Sequence, residues 1–321
     1  MVMLIWFYTR KGGIKTLVWT DTFQTLCMFS ALILIIYYTI KCLDFTPMEA
    51  YHAICDSKYS QIFVFDDWVS RQNFWKQFLS GIFVVIVMTG LDQDMMQKNL
   101  TCKTLRDAQK DMCTYGFAFV PANLLFLALG ILLILLAQKQ QMPFPESPDD
   151  LLPMFAASGY MGNMVVVFFT IGIVAASFSS ADSAITAITT SICVDIMDSP
   201  KDEKLRKYTH LGVAILFVIF IILFKQINST SVIDAIYIIC SYTYGPLLGI
   251  FGFGIFTKRR ANDQVTPYIA ILSPIICYAI DWYSSHHLGY KLGYELLMLN
   301  GLITFSGLYL FSHKNNAKIC A

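Results

Sequence analysis

The sequence predicts an all-α integral membrane protein with about eight transmembrane helices, and three observations support this fold class. Of the 321 residues, 56% are hydrophobic and only 14% are charged, whereas soluble domains carry about 25% charged residues. The mean hydropathy is +0.57, and apolar runs long enough to cross lipid recur along the chain. A chain of this composition has too little polar surface to face water, so lipid must be its solvent.

The individual spans follow from the apolar runs, because a transmembrane helix needs about 20 mostly apolar residues. The candidate spans are residues 17–40, 78–97, 112–136, 164–197, 208–224, 232–256, 266–280 and 296–311. The fourth is unusually long, so we expect it to tilt or to extend beyond the bilayer.

The basic residues indicate how these spans are oriented. Residues 9–15, 98–111, 198–210, 257–264 and 312–321 alternate with the other loops and hold 16 of the 23 Lys and Arg residues. Cytoplasmic loops carry an excess of Lys and Arg. We therefore expect this set of loops, and both termini, to be cytoplasmic.

The fourth span carries an aspartate in the middle of its apolar stretch. Asp182 is flanked by Ser179, Ser180 and Ser183, and a charged residue at mid-bilayer costs at least about 2.5–3.5 kcal/mol. Residues three and four apart share a helix face, and Ala176 extends this set at that spacing. Their hydroxyl and carbonyl oxygens suit a hard cation such as Na+. The small residues alone would favour helix packing, but packing has no use for a carboxylate, so with Asp182 we predict a cation site.

The second span ends in a glycine that three polar residues follow at once. Gly90 weakens a helix by about 1 kcal/mol relative to alanine, and Asp92, Gln93 and Asp94 come next. A helix broken at membrane depth is tolerated where its backbone lines a cavity, as at transporter binding sites. The same residues would also suit an ordinary helix end, since Lys98 follows. Spacing alone leaves both interpretations open.

The sixth span contains Gly245-Pro246 near its middle. Proline removes a helical hydrogen bond, so we expect a break or kink there. Tyr242 and Tyr244 lie just before it and could face a binding site. Three further glycines are expected to allow close helix contact: Gly249, Gly252 and Gly254.

Several classes of function are excluded or disfavoured by missing motifs. The chain has no GxSxG, HExxH or P-loop sequence. It therefore lacks the catalytic motifs expected of an enzyme and the ATP-binding motif expected of an ATP-driven pump. The nine cysteines lack CxxC spacing, so zinc is not expected. A net charge of +1 without a basic stripe argues against a nucleic-acid partner. No organic cofactor is expected.

Three smaller features lie outside the spans. Cys42 and Cys55 share one polar loop and could form a disulfide if it faces an oxidising space. Asn228 begins an NST glycosylation acceptor. The apolar segment "MLIWFY", residues 3–8, is too short to span; it reads as the end of a helix or as a short interfacial anchor.

Four segments resemble the sodium:solute symporter family. "YTRKGGIKTLVWTDTFQ" (residues 8–24) resembles its GG…WTD…Q segment, and "GLDQDMMQKNLTCKTLRDAQKDM" (90–112) resembles its cytoplasmic signature after the seventh span. "AASFSSADSAITAITTSICVDIM" (175–197) resembles its ninth span, and "SYTYGPLLGIFGFGIFTKR" (241–259) its eleventh. The first three are fairly specific in combination, and the resemblance covers nearly the whole chain.

The family has the LeuT-type fold of two inverted five-helix repeats with extra terminal helices, so the resemblance implies a partial LeuT-type inverted-repeat bundle. Within one polytopic membrane domain over residues 1–321, residues 1–40 would end the first repeat. Residues 78–256 would form the second repeat, and 266–312 two peripheral helices. The helices before them have no counterpart here. We therefore expect a fragment, a truncated form, or a chain whose missing helices a separate polypeptide supplies.

The resemblance also implies which residues contact the ion. The family's sodium site falls on the backbone carbonyl of Ala176 and the hydroxyls of Ser179 and Ser180, with Ser183 as a further candidate. Asp182 would serve a second cation site or neutralise the ion's charge from nearby.

Asp92 and Gln93 match the family's substrate-facing segment, and with Tyr242 and Tyr244 they make up the expected substrate site. The resemblance thus implies a sodium-coupled symporter of a small organic solute in the plasma (inner) membrane. The alternatives are an inactive membrane remnant or assembly subunit without transport and, third, a channel, although no filter-like motif is present.

Overall fold

The computed structural model describes residues 14–313 apart from 71, 200–201, 228–230 and 291. The expectations for residues 3–8 and Asn228 lie outside this part of the chain. The described residues are almost entirely helical. The helices are α1 (Ile14–Cys42), α2 (Pro47–Cys55), α3 (Phe74–Gly90), α4 (Gln93–Asn99), α5 (Leu105–Lys139), α6 (Leu151–Ala157), α7 (Asn163–Ser191), α8 (Glu203–Ile227), α9 (Val232–Phe256), α10 (Thr266–Tyr283) and α11 (Leu296–Phe311).

Each of the eight predicted spans corresponds to one of these helices, which confirms the all-α class. Five stretches among the described residues are long and apolar enough to cross a membrane: Asp21–Cys42, Leu105–Lys139, Asn163–Ile196, Glu203–Gln226 and Val232–Phe256. Two shorter apolar helices are Phe74–Gly90 and Leu296–Phe311. The number of eight crossings therefore stays a prediction.

Two predicted spans differ from the structure in ways that have local causes. The second does not run unbroken over 78–97, because α3 ends at Gly90 and α4 begins at Gln93. Glycine and the polar residues after it favour this interruption. The long fourth span is helix α7 followed directly by a π-helical turn, Ile192–Ile196.

Side-chain caps determine where several helices begin. Asn73 accepts hydrogen bonds from the backbone N–H groups of Trp75 and Lys76 at the start of α3. Thr46 and Glu49 form a capping box at the start of α2, which satisfies two otherwise unpaired donors. The backbone and hydroxyl hydrogen bonds from Thr46 lower the pKa of the Glu49 carboxyl.

The chain divides into two compact units, residues 14–60 with 97–231 and residues 61–96 with 232–313. In the first unit, α1 packs against α5 and α7. Its fully buried side chains include Leu32, Ile35, Leu132, Leu136, Phe155 and Val165. Apolar side chains gain little by exchanging lipid for protein, so close fit stabilises this contact. At Gly172 a Cβ would lie 3.3 Å from the Met28 Cγ, so this glycine lets α1 approach α7.

An ion pair between Lys139 and Asp44 links the carboxyl ends of α1 and α5. The Lys139 Nζ lies 2.7 Å from the Asp44 Oδ2 and donates to the Leu43 carbonyl oxygen at 2.9 Å. A basic side chain suits the unpaired carbonyls at a helix end. The Cys42 and Cys55 thiols in this region are both free.

The second unit is organised around the contact between α9 and α11. A Cβ at Gly245 would lie 2.3 Å from the Asn300 Cγ, and one at Gly249 would lie 2.5 Å from the Gly301 carbonyl oxygen. The expected close contact is thus confirmed for Gly249. The expectation of close contact is wrong for Gly254, because a Cβ there would have no atom within 4 Å. At Gly252 a Cβ would lie 3.8 Å from the nearest atom, which is an ordinary van der Waals distance.

The expected break at Gly245-Pro246 is absent, because α9 continues through Pro246. Proline leaves the carbonyl four residues earlier without its helical donor, and here that carbonyl belongs to Tyr242. The Asn300 Nδ2 donates to the Tyr242 oxygen at 3.0 Å and to the Ser241 oxygen at 3.1 Å. Ser273 in turn donates to the Asn300 Oδ1 at 2.8 Å. A side chain of α11 therefore supplies the hydrogen bond that Pro246 removes.

Candidate ion site and solute site

In the first unit, Asp21 of α1 contacts Ser179 of α7, and Asp182 and Ser183 lie within one helical turn of Ser179. Ser179, Asp182 and Ser183 of α7 are buried, with 8%, 3% and 5% of their surfaces exposed. The Ser179 hydroxyl donates a short hydrogen bond to the Asp21 Oδ1 on α1. Residues 179, 182 and 183 share one helix face because they are three and four positions apart. These four residues are referred to below as the α1–α7 cluster.

The α1–α7 cluster offers oxygen atoms only. Its carboxylates are Asp21 and Asp182, and Thr186 places its hydroxyl 3.4 Å from the Asp182 Oδ1. The buried Ser183 hydroxyl has no hydrogen-bond partner among the described residues. An unsatisfied buried hydroxyl costs about 1–3 kcal/mol. Hard cations prefer carboxylate and other oxygen ligands, so an ion bound here would engage the Ser183 oxygen.

Two of the predicted ion-site residues lie differently. Ser180 is exposed and Ala176 is partly buried. Ser177, on an exposed part of α7, donates its hydroxyl to the Ile173 oxygen, four residues earlier, at 2.8 Å. Ser180 makes no such bond within the described chain, and α7 is continuous around Ala176. The structure therefore brings Ser179, Asp182 and Ser183 into the cluster, but not the hydroxyl of Ser180.

Asp21 is the member of the cluster that sequence reasoning missed. It stands within the "WTD" triplet of α1, which served only to carry the family resemblance. The sequence did contain a signal for Asp21, because this carboxylate lies at the start of an apolar stretch. Asp182 was singled out because it lies within such a stretch. Its partner Ser179 is 158 positions away along the chain, so spacing could not pair them.

In the second unit, Asp92 and Tyr244 come together. Asp92 lies between α3 and α4, and its Oδ2 accepts a hydrogen bond from the Tyr244 hydroxyl at 2.9 Å. Its Oδ1 accepts from the Met95 backbone N–H at 3.4 Å. The interruption after Gly90 thus places a carboxylate and a phenol beside each other, a pair that can bind a hydroxyl or amino group.

The other two predicted substrate residues lie apart from this pair. Tyr242 packs on Tyr278, with ring centroids 6.5 Å apart, and Gln93 is exposed. Residues two apart on an α-helix point about 200° from each other. Tyr242 and Tyr244 therefore point in opposite directions from α9.

The first unit also contains a cavity of about 220 Å³ between α1, α5, α6 and α7. Its lining is apolar except for Asp149, and it includes Met28, Leu32, Phe126, Phe169 and Gly172. The predicted site residues do not line it. Such a lining suits apolar side chains or lipid rather than a polar solute.

Comparison with known proteins assigns the chain to a family. The model of the sodium:solute symporter family matches residues 1–264. The chain belongs to this family. Membership makes it a multi-pass integral membrane protein, and the relatives below are named as transporters rather than enzymes.

The most similar proteins compared are themselves sodium-coupled. The human sodium-coupled monocarboxylate transporter 2 is 25% identical over 280 residues, which cover 78% of this chain and 42% of that protein. The rabbit (Oryctolagus cuniculus) sodium-dependent multivitamin transporter is also 25% identical, with 78% and 41% covered. The sodium/sialic acid symporter NanT of Aliivibrio fischeri is 24% identical, with 84% and 55% covered. The chain thus spans about half the length of its curated relatives, or less.

A solved structure confirms the fold. A Na+-coupled sialic acid symporter, in a substrate-bound outward-open state, matches with a TM-score of 0.73 at 20% sequence identity. The match covers 98% of this chain and 67% of the symporter. The prediction of a partial LeuT-type bundle is therefore confirmed.

Proposed function

We propose that the chain takes part in sodium-coupled symport of a small organic solute. Family membership supports the class of activity. The observation that carries the proposal is the α1–α7 cluster, in which Asp182 and two serines are buried and Ser179 bonds to Asp21. Burial of carboxylates is costly in a membrane protein, and they are kept there for ions, partners or proton transfer.

In this proposal Na+ binds between Asp21, Ser179, Asp182 and Ser183. The ion offsets the negative charge of the carboxylates and gives the unpartnered Ser183 oxygen a ligand. Two helices of this chain supply all four residues. The family-derived set of Ala176, Ser179 and Ser180 remains a second prediction for sodium, and it shares Ser179 with the cluster.

The driving force of the transport would come from the sodium gradient and the membrane potential. One charge moving across 100 mV contributes about 2.3 kcal/mol. Coupling requires that Na+ bind one conformation of the protein more tightly than another.

The solute would bind at the interruption between α3 and α4. Asp92 and Tyr244 offer a carboxylate oxygen and a phenol there, which favours a solute that bears hydroxyl or amino groups. Gln93 and Tyr242, which lie apart from this pair, stay predicted members of the solute site. The plasma (inner) membrane, cytoplasmic termini and a separate chain that supplies further helices also stay predictions.

Binding of 22Na+ to the purified chain in detergent tests the ion site without depending on transport. We expect saturable binding by the wild type, and a loss of affinity of about tenfold or more for Ser183→Ala and for Asp182→Asn, because each removes a ligand. Ser177→Ala is the matched control, since that hydroxyl bonds to the Ile173 carbonyl on an exposed part of the same helix.

Equal weakening by Ser177→Ala would contradict the site, because the effect would then be one of helix stability. Unchanged binding by both cluster variants would also reject it. A chain that is folded but binds no 22Na+ at all would favour the alternative of an inactive remnant or assembly subunit.

A further inference from the structure

The loop after α9 carries three consecutive cations that lack acidic partners. Lys258, Arg259 and Arg260 follow the last residue of α9, Phe256, after one threonine. None of the three forms a salt bridge in the part of the chain that the structure describes. The nearest carboxylate along the chain, Asp263, is exposed. Clustered cations without acidic partners among the described residues attract anions from outside the chain.

This loop is held in place on both sides. The Arg260 N–H donates to the His313 carbonyl oxygen at 3.1 Å, and the His313 N–H donates back to the Arg260 oxygen at 3.1 Å. The Arg259 guanidinium lies over the Tyr309 ring, 4.4 Å from its centroid. The backbone bridge therefore positions the loop at Arg260, and the cation–π contact holds the Arg259 guanidinium before any ligand arrives.

Arg259 has an unused donor. Its Nε is buried and has no hydrogen-bond partner among the described residues. A guanidinium binds a phosphate through parallel N–H···O bonds. Tyr309 covers one face of the Arg259 guanidinium and its Nε edge is buried, so an oxyanion would approach the terminal N–H groups.

Large apolar side chains border the cations. Phe256, Leu310 and Phe311 are 81%, 78% and 56% exposed, and they flank the basic loop and Tyr309 in sequence. Exposed side chains of this size on membrane helices face acyl chains, and a tyrosine beside them is typical of the headgroup level. The ligand should therefore have a phosphate end and an apolar end.

One further basic segment, at the start of α8, differs in this respect. Lys207 at the start of α8 lies 3.7 Å from the Glu203 carboxylate, one turn earlier. Its charge is compensated within the helix, whereas that of the loop after α9 is not. Local pairing of opposite charges thus distinguishes the two segments.

We propose that Lys258, Arg259 and Arg260 bind the headgroup phosphate of an anionic phospholipid, with its acyl chains along Phe256, Leu310 and Phe311. Juxtamembrane basic residues attract anionic lipids. Because Arg259 is held against the Tyr309 ring, this loop forms a defined site. The proposal is independent of the sodium and solute sites, which lie elsewhere in the chain.

Native mass spectrometry of the full chain from mixed detergent micelles tests the site. We expect the wild type to retain phosphatidylglycerol over phosphatidylcholine. The combined variant Lys258→Gln, Arg259→Gln, Arg260→Gln should lose this preference by about tenfold or more, because several phosphate contacts are removed. Tyr309→Leu should weaken retention and Tyr309→Phe should not, since phenylalanine still stacks on Arg259.

The matched control removes the same charge elsewhere through Lys204→Gln, Arg206→Gln and Lys207→Gln, and it should leave the preference unchanged. An equal loss in this control would overturn the proposal, because net charge alone would then explain binding. Displacement of phosphatidylglycerol by millimolar inorganic phosphate would show a free-anion site and overturn the lipid assignment. Equal retention by wild type and the loop variant would also overturn it.

Discussion

At the scale of single residues, the two aspartates of the α1–α7 cluster are the main departure from an apolar membrane protein. Ser179 joins them, because it bonds to Asp21 and lies one helical turn from Asp182. Like charges in a low-dielectric site repel each other, and a cation bound among them relieves that repulsion. A cation bound beside Asp21 and the buried Asp182 is therefore expected to stabilise this part of the first unit.

Sodium should stabilise the folded chain, and Asp21→Asn should remove that effect. A ligand at 100 times its Kd stabilises the state that binds it by about 2.7 kcal/mol. Thermal unfolding in detergent with NaCl or choline chloride at equal ionic strength measures this. We expect the wild type to gain stability in NaCl and the variant to gain none, while remaining at least as stable as the wild type in choline chloride.

The matched control for Asp21→Asn is Asp56→Asn, which removes an exposed carboxylate after α2. It should keep the full sodium response. A sodium response that survives in Asp21→Asn would exclude Asp21 from the ion site.

At the scale of helices, α9 and α11 fit together around one glycine and one asparagine. Gly245 leaves room for the Asn300 side chain, and Asn300 bonds to the carbonyls that precede Pro246. Small residues and interhelical hydrogen bonds are what hold helices together in lipid. This contact fixes the helix that carries Tyr244, and so the position of its hydroxyl.

Gly245→Ala should destabilise the second unit strongly, whereas Gly254→Ala should not. The new methyl group at 245 would lie 2.3 Å from Asn300 atoms, while at 254 it would meet nothing within 4 Å. We expect Gly245→Ala to cost about 1–3 kcal/mol or more through overpacking. Gly254→Ala should be neutral or stabilising by up to about 1 kcal/mol, since alanine favours helix.

Titration of mixed micelles with dodecyl sulfate gives an unfolding midpoint for each variant. Gly245 and Gly254 lie on the same helix, α9, so the two midpoints can be compared directly. Equal midpoints for the two would show that the contact with Asn300 does not contribute to stability.

At the scale of the whole chain, the sequence predicts helices well and the contacts between them poorly. The predicted spans 232–256 and 296–311 coincide with α9 and α11, because hydropathy over a window is a local property. The pairs that make the sites are distant, with Tyr244 and Asp92 separated by 152 positions. No periodicity relates such residues, and only the folded chain brings them together.

Two features of α9 differ in how far the sequence predicts them. Tyr242 and Tyr244 are two positions apart and do not share a helix face, so spacing predicts that they point apart, and the place of Tyr242 in the solute site stays a prediction. The continuity of α9 at Pro246 could not be predicted from local rules, because it depends on Asn300, which lies 58 positions beyond Tyr242. At Pro246, a side chain distant in sequence replaces the hydrogen bond that the proline removes.

The orientation of the chain can be tested with its own cysteines. Cys55 is exposed after the first predicted span, and Cys102 is partly exposed in a loop rich in Lys and Arg. The distribution of basic residues predicts Cys55 outside and Cys102 inside. In intact cells, a membrane-impermeant maleimide should label a variant that keeps only Cys55, and it should label one that keeps only Cys102 after permeabilisation alone. The reverse pattern would invert the topology and place the basic loop after α9 at the outer leaflet.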